Sequence, residues 1–286
     1  MLSGLLVVNE FLKSKKYHEI YNWLMNSAME HGINLVIKTN AELIGLDYEI
    51  ELKKTDFVLF WDKDVRLARL IEKDGKRLFN SSSAIEICDD KSLIYTHLYK
   101  KLRMPKTVLA PMTFSNIGYE SLDFLSDIEL PFPLVVKECF GSFGAQVYLA
   151  DNLSELKEIV SKIGAKPMLF QELIKESFGR DIRINIVGGE AVAAMTRWSE
   201  NGDFKANVSN GGRMKEYTPT VAEIQLAKDA AMEIGLDFCG VDILFSKDEP
   251  ILCEVNSNPH FKSVYDCTGV NVADSIIEYI IKVMKA

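Results

Sequence analysis

No stretch of this sequence approaches ~18 consecutive apolar residues, and its opening, M-L-S-G-L-L-V-V-N-E, carries no basic lead-in. Neither a membrane span nor a secretory signal is expected. Basic tracts are missing too: 33 Lys and Arg stand against 41 Asp and Glu, a net charge of −8. Nucleic acid is a poor partner for such a chain, because binding it takes clustered cations that neutralise phosphates. The cysteines (Cys88, Cys139, Cys239, Cys253, Cys267) form no C-x-x-C pair, and the histidines (His18, His31, His97, His260) are scattered. That argues against zinc and for free thiols in a reducing cytoplasm. G-x-G-x-x-G, G-x-x-x-x-G-K-[ST] and G-x-S-x-G are all absent. The dinucleotide fingerprint, the P-loop and the serine-nucleophile elbow therefore drop out.

What is present is a succession of apolar strands and amphipathic helices. Leu5 to Val8, Ile33 to Ile37, Phe57 to Phe60 and Arg77 to Phe79 read as strands, with helices at Tyr17 to His31 and Asp64 to Glu72 between them. This alternation predicts an α/β lobe, a parallel sheet with crossover helices. Farther on, helices are expected at Lys91 to Leu102, at Ser154 to Ile163 with Ser154 as N-cap, and at Pro219 to Ile234 with Thr218 as N-cap and Gly235 after the end. A hairpin should turn at Gly188 and Gly189. With 48% hydrophobic residues the chain can bury several cores, and it divides into lobes at 1–84, 85–169 and 170–286.

Three segments carry candidate chemistry. In P-L-V-V-K-E-C-F-G-S-F-G-A, Lys137 ends an apolar strand and Gly141, Ser142 and Gly144 follow in a loop. Such glycines let backbone N–H groups close over phosphate oxygens, although an ordinary hairpin turn reads the same way. In P-M-L-F-Q-E-L-I-K, a buried strand exits at Gln171 and Glu172, offering backbone groups to a purine edge, with Asp181 able to accept from ribose hydroxyls. Finally, V-D-I-L-F-S-K-D-E-P-I-L-C-E-V-N reads as two strands around a polar turn. Residues two apart on a strand share a face, so Glu254 and Asn256 can converge with Asp242 on one ion. Two carboxylates and an amide oxygen suit Mg²⁺; acidic residues merely facing solvent are the alternative.

These segments occur in order with D-D-K-S-L-I-Y-T-H-L around Lys91, F-G-R-D-I-R-I-N-I-V-G-G-E-A-V-A-A-M-T-R, G-D-F-K-A-N-V-S-N-G-G and E-V-N-S-N-P. Together they resemble the RimK-like carboxylate–amine (glutamate) ligases of the ATP-grasp superfamily, by motif over about 85–286 and by organisation before that. The resemblance implies an ATP-grasp fold of the α/β class: an N-terminal Rossmann-like lobe ahead of two α+β lobes that clasp ATP. It implies that Lys91 and Lys137 contact phosphates beneath Gly141, Ser142 and Gly144. Gln171, Glu172, Leu173 and Ile174 would form the adenine hinge, Asp181 the ribose contact, and Asn207 a polar contact near the phosphates. Asp242, Glu254 and Asn256 would hold Mg²⁺, with Mn²⁺ as a substitute. Arg183 and Arg197 would face the substrate carboxylate and the transferring phosphoryl group, Arg197 foremost.

The implied reaction phosphorylates a carboxylate with ATP and lets an amine displace the phosphate, giving an amide and ADP. Its partners are a carboxylate substrate and an amino acid or other amine, glutamate foremost, with neither nucleic acid nor membrane required and room for a homo-oligomer. A cofactor or peptide natural-product ligase of the same mechanism is the alternative, and a non-catalytic ATP-binding regulator a second one. Two departures fall near the expected acceptor pocket: Asn210, where the family often has a basic residue, and His260, where glycine is usual. His260 would either deprotonate the incoming amine or pack its loop against Phe261.

Overall fold

The structure is a computed structural model that describes residues 2–44, 46–141, 144–206 and 212–286. Ser142, Asn207 and Asn210 lie outside the described residues. The first lobe alternates β1 (Ser3–Val8), α1 (Lys15–Glu30), β2 (Asn34–Thr39), α2 (Leu46–Lys53), β3 (Phe57–Trp61), α3 (Val65–Lys73) and β4 (Arg77–Phe79). Its strands pair in parallel in the order β2-β1-β3-β4. Leu6, Val8, Leu59 and Trp61 pack with Ile20, Leu24 and Ala28 of α1. Leu5, Val7, Val58 and Phe60 pack on the other face with Ala68 and Ile71 of α3. Burial on both faces explains why these strands read as unbroken apolar runs. Because β1 lies between β2 and β3, the winding of the sheet reverses between β1 and β3, which leaves a crevice at their carboxyl ends.

Two helices, α4 (Ser82–Asp89) and α5 (Lys91–Leu98), lead into the second lobe. Asp90 caps α5 by accepting from the Ser92 N–H at 2.7 Å. The helix stops earlier than expected, as Tyr99 leaves helical geometry and Lys100 takes a φ of 61°. Next come β5 (Thr107–Leu109), β6 (Leu134–Glu138), β7 (Val147–Ala150), α6 (Leu153–Ile163) and β8 (Met168–Glu172). The four strands form an antiparallel sheet in the order β5-β8-β6-β7. Asn152, not Ser154, caps α6: its Oδ1 accepts from the Glu155 N–H at 3.0 Å, and the Glu155 carboxylate reaches back to the Asp151 N–H at 3.0 Å. These two contacts, the first of them satisfying an orphan helix donor, outcompete a serine two positions later.

The third lobe holds β9 (Arg180–Val187), β10 (Glu190–Trp198), β11 (Arg213–Glu216), α7 (Val221–Ile234), β12 (Phe238–Leu244) and β13 (Ile251–Asn256), its sheet ordered β11-β10-β9-β12-β13. Thr220, rather than Thr218, caps α7 through a full capping box with Glu223. The sequence signal was a threonine with a glutamate three residues on, and only Thr220 has one. Gly235 ends the helix in the left-handed conformation, φ 78°. Two helices outside the expected set close the chain, α8 (Lys262–Thr268) and α9 (Val272–Lys285). Ile276, Ile277 and Ile280 of α9 join the core beneath α1. The first and third lobes are further joined by Trp61 stacked on Phe238 at 5.3 Å. Buried Asn80 completes the joint by donating to the Phe238 and Ser257 carbonyls, each at 2.9 Å, and accepting from the Asp237 N–H at 2.7 Å. It thereby fixes the chain one residue past Asn256.

Candidate active site

The β12–β13 hairpin sets Asp242 opposite Glu254 and Gly240 opposite Asn256. The antiparallel register therefore gathers the three expected metal-binding residues on neighbouring strands. Asp242 does not stand alone there. Arg183 grips it in a forked pair, one arm from Nε and the other from Nη2 at 2.8 Å, and Arg197 Nη2 adds a third contact at 2.9 Å. Arg197 also forks onto Asp181, Nε to Oδ1 at 2.7 Å and Nη2 to Oδ2 at 2.6 Å. Gly240 leaves the room that Arg183 fills: a Cβ there would lie 2.8 Å from Nη1. All four charged side chains are buried. Burial alone would raise the Asp242 carboxyl, but the two guanidiniums outweigh it and hold the group below its usual range. Asp181 goes the other way. Its burial, with the Asp242 charge nearby, outweighs the pull of Arg197 and Arg183 and raises it.

Two carboxylates and an amide are a hard donor set suited to Mg²⁺. Among the described residues no three His, Cys, Asp or Glu side chains cluster as metal ligands, in keeping with a set whose third member is an asparagine. The buried Asn256 Nδ2 has no partner among the described residues, so no described contact through that atom pins the amide against a ligand. The arginines fix the orientation of Asp242 from behind, as partners of metal ligands do. On this chemistry the residues fit a divalent ion.

A cleft of about 130 Å³ runs between the second and third sheets. Lys91 and Lys137, Gly141 and Gly144, the strand exit from Gln171 to Ile174, Asp181, Asp242 and Glu254 all line it. Lys91 Nζ lies 3.3 Å from the Gly141 carbonyl and 3.8 Å from Glu254 Oε1. Lys137 Nζ lies 3.9 Å from Cys253 Sγ, a thiol that burial pushes up to about 11, so no thiolate neutralises the lysine at neutral pH. Gln171 is tied to Thr107 Oγ1 at 2.9 Å and the Glu172 carboxylate to the Lys106 N–H at 2.8 Å. Lys205, which the sequence reading passed over, bridges the Gly144 and Val147 carbonyls at 3.4 Å each and so anchors the far side of the glycine loop. Its signal was its place two residues before Asn207 in a polar, glycine-bearing loop.

Beside the cleft opens a larger cavity of about 610 Å³ between the first and third lobes. Gly144, Asp242 and Glu254 line both spaces. Arg183, Arg197, Asn256 and His260 line the cavity, so the expected catalytic residues meet the expected nucleotide residues along one shared wall.

A RimK-like ATP-grasp domain model matches residues 89–280. The chain belongs to the RimK-like ATP-grasp family. A probable alpha-L-glutamate ligase of Psychromonas ingrahamii is 36% identical over 223 residues, 77% of this chain and 72% of that protein. The human beta-citrylglutamate synthase B is 34% identical over 257 residues, 88% of this chain and 65%, just under two thirds, of that protein. In fold, the chain is similar to Bacillus anthracis D-alanine–D-alanine ligase complexed with ATP, with a TM-score of 0.77 at 17% identity, covering 100% of this chain and 99% of that one. The ATP-grasp architecture is thus that of the whole chain, including the first lobe, where the sequence matched only in outline.

Within this ATP-grasp frame, His260 has a constrained chemistry. Its Nε2 lies 3.1 Å from the Lys16 carbonyl, a contact that calls for the proton on Nε2. Burial pushes its pKa down to about 4, which makes it a weak base toward an amine. The sign of the linked stability follows: the unfolded chain binds this proton below about 6.5 while the folded chain resists until about 4, so stability falls as pH drops across that window. We expect His260→Gln to lessen the loss of stability between pH 7.5 and pH 5 by on the order of 1 kcal/mol. Urea denaturation of both proteins at the two pH values measures it, and parallel losses would reject the assignment.

Proposed function

We propose that this protein is an ATP-dependent carboxylate–amine ligase that forms an amide through an acylphosphate, adding an amino acid, glutamate foremost, to a small molecule, peptide or protein tail. The observation that carries this reading is the shared wall: Gly144, Asp242 and Glu254 bound both the narrow cleft and the large cavity. A nucleotide in the first would present its terminal phosphate to an acid in the second. The relatives named as a glutamate ligase and a citrylglutamate synthase support the same bond and the same amino acid. Five free cysteines favour a reducing, cytoplasmic setting. No helix among the described residues is long and apolar enough to cross a membrane.

In this reading Lys137, Lys91 and the loop bearing Gly141 and Gly144 cradle the phosphates, and Glu172 to Ile174 offer backbone groups to adenine. Asp181 keeps only its remaining lone pairs for ribose, since both its oxygens already accept from Arg197. Asp242, Glu254 and Asn256 would hold Mg²⁺, which when bound offsets phosphate charge. Arg197, fixed by two aspartates, stays charged throughout and stabilises negative charge on the transferring group. The acid oxygen attacks the γ-phosphorus, ADP leaves, and the acylphosphate carbon then accepts the amine nitrogen as phosphate departs. His260, with its low pKa, is assigned to holding the loop after Asn258 rather than to proton removal.

The test is an ADP-release screen with Mg-ATP against a matrix of carboxylates and amino acids, followed by product mass. With a productive pair, we expect one amide per ADP and phosphate, and ¹⁸O from the acid carboxylate in the released phosphate. AMP and pyrophosphate, or unlabelled phosphate, would reject the mechanism in favour of adenylation.

A further inference from the structure

The first lobe supplies the cavity with a polar wall of its own. Asn9 follows β1 and Asp62 follows β3, so both stand at the carboxyl ends of adjacent parallel strands, where the winding reverses. Open parallel sheets bind ligands in such crevices. Asn9 Nδ2 at 3.0 Å and the Lys63 N–H at 2.7 Å both donate to Asp62 Oδ1, which fixes the carboxylate. Its other oxygen, Oδ2, is buried without a partner among the described residues. Asn258 is held in the same manner. Its Nδ2 donates to the Asp62 carbonyl at 2.9 Å, while its Oδ1 is buried and unpartnered. The Tyr21 hydroxyl is a third such atom. Asp62 and Tyr21 are each only 4% exposed, and all three residues line the large cavity. Buried polar atoms in native proteins have partners, so these three orphans match a ligand that supplies what they lack; a fourth orphan of the same wall, Asn256 Nδ2, is a donor on a residue already assigned to the metal.

What Tyr21, Asp62 and Asn258 lack is hydrogen. Asp62 Oδ2 and Asn258 Oδ1 accept only, and the phenol oxygen accepts as well as donates. A carboxylate or phosphate placed there would face the Asp62 charge, and a hydroxyl has one hydrogen for two acceptors. A primary ammonium has three hydrogens and the opposite charge. We propose that Tyr21, Asp62 and Asn258 form a recognition site for a primary ammonium group on the substrate whose carboxylate is activated, which makes that substrate an amino acid or a short peptide with a free amine. This rests on the ligase reading above. The ammonium is a handle and not the nucleophile, because pairing with a buried carboxylate favours the protonated form, whereas attack needs the lone pair.

Hydroxylamine separates the acid site from the amine site. Its nitrogen attacks the acylphosphate carbon, the carbon–oxygen bond to phosphorus breaks, and phosphate leaves with a hydroxamate formed, so no amino-acid nucleophile is needed. The acids to compare are L-aspartate, L-glutamate and glycyl-L-glutamate, their N-acetyl forms, and succinate and glutarate, each with the full chain, Mg-ATP and hydroxylamine. We expect free-amine acids to exceed their N-acetyl and des-amino counterparts in kcat/KM by at least about tenfold, through KM. Asp62→Asn, whose amide oxygen still accepts from Asn9 and Lys63, should erase that preference by raising KM for the free-amine acids. Hydroxamate from an N-acetyl or des-amino acid should persist in this variant, which also shows that it is folded. Equal or better use of N-acetyl or des-amino acids by the native protein, or an unchanged preference in Asp62→Asn, overturns the ammonium site while leaving the ligase standing. Absence of hydroxamate from every acid would instead sink the ligase reading and the site with it.

Discussion

Glu254→Gln is expected to lower amide formation by at least about a hundredfold while leaving the fold in place, the scale on which single electrostatic groups act at transferring phosphoryl or acyl centres. The side chain lines both the cleft and the cavity, is 29% exposed, and pairs among the described residues only with Lys91, 3.8 Å away. It is therefore not a support of the core, and a glutamine of equal size should shift unfolding by less than about 1 kcal/mol. What the substitution removes is charge: an amide oxygen holds a divalent cation more weakly than a carboxylate does, and competition from phosphate oxygens then decides occupancy. Activity should recover in part at high Mg²⁺ if binding is the fault. Circular dichroism melts beside steady-state assays over a Mg²⁺ series would read both effects. Near-native turnover with an unchanged Mg²⁺ requirement would remove Glu254 from the proposed metal site.

How much of this site could be read from the chain depends on whether its parts are local or distant. Asp242, Glu254 and Asn256 were legible because one hairpin brings them together, and the period of two along a strand is written in V-D-I and C-E-V-N. Lys137 and its glycines belong to one strand and loop. The first lobe's sheet was legible for the same reason, its central strands β1 and β3 being buried on both faces and so almost uniformly apolar. By contrast Asn9, Tyr21, Asp62 and Asn258 share no segment, and only the docking of the first lobe on the third brings them to one cavity. No periodicity encodes that. The caps at Asn152 and Thr220 were missed for a smaller reason, that a nearby serine or threonine also fits the N-cap rule until the partner glutamate is counted. The helix Val272–Lys285 was readable from the spacing of Ile276, Ile277 and Ile280, with Asn271 as its cap.

The buried ion network makes the other large prediction, and it lies in stability as much as in rate. Arg197 is 8% exposed and is shared by Asp181 and Asp242, while Asp242 keeps Arg183 as a second partner. Replacing Arg197 with Met leaves Asp242 paired but strands Asp181, whose burial already raises its pKa. An uncompensated buried charge of this kind costs about 3–5 kcal/mol, so Arg197→Met should unfold at markedly lower urea and show no measurable ligase activity. The sign with pH is distinctive. A carboxyl whose folded pKa lies above its unfolded value favours the fold when protonated, so the variant's deficit should be greatest at pH 7 and shrink as pH falls toward the unfolded carboxyl range near 4. Adding Asp181→Asn to Arg197→Met should return a large part of the stability, because the stranded charge is gone, but none of the activity, because the cation proposed to face the transferring group is still missing. If instead the single variant loses less than about 1 kcal/mol, or the second substitution makes matters worse, then Asp181 is not the group that Arg197 compensates, and the arginine is free of the structural duty assigned to it here.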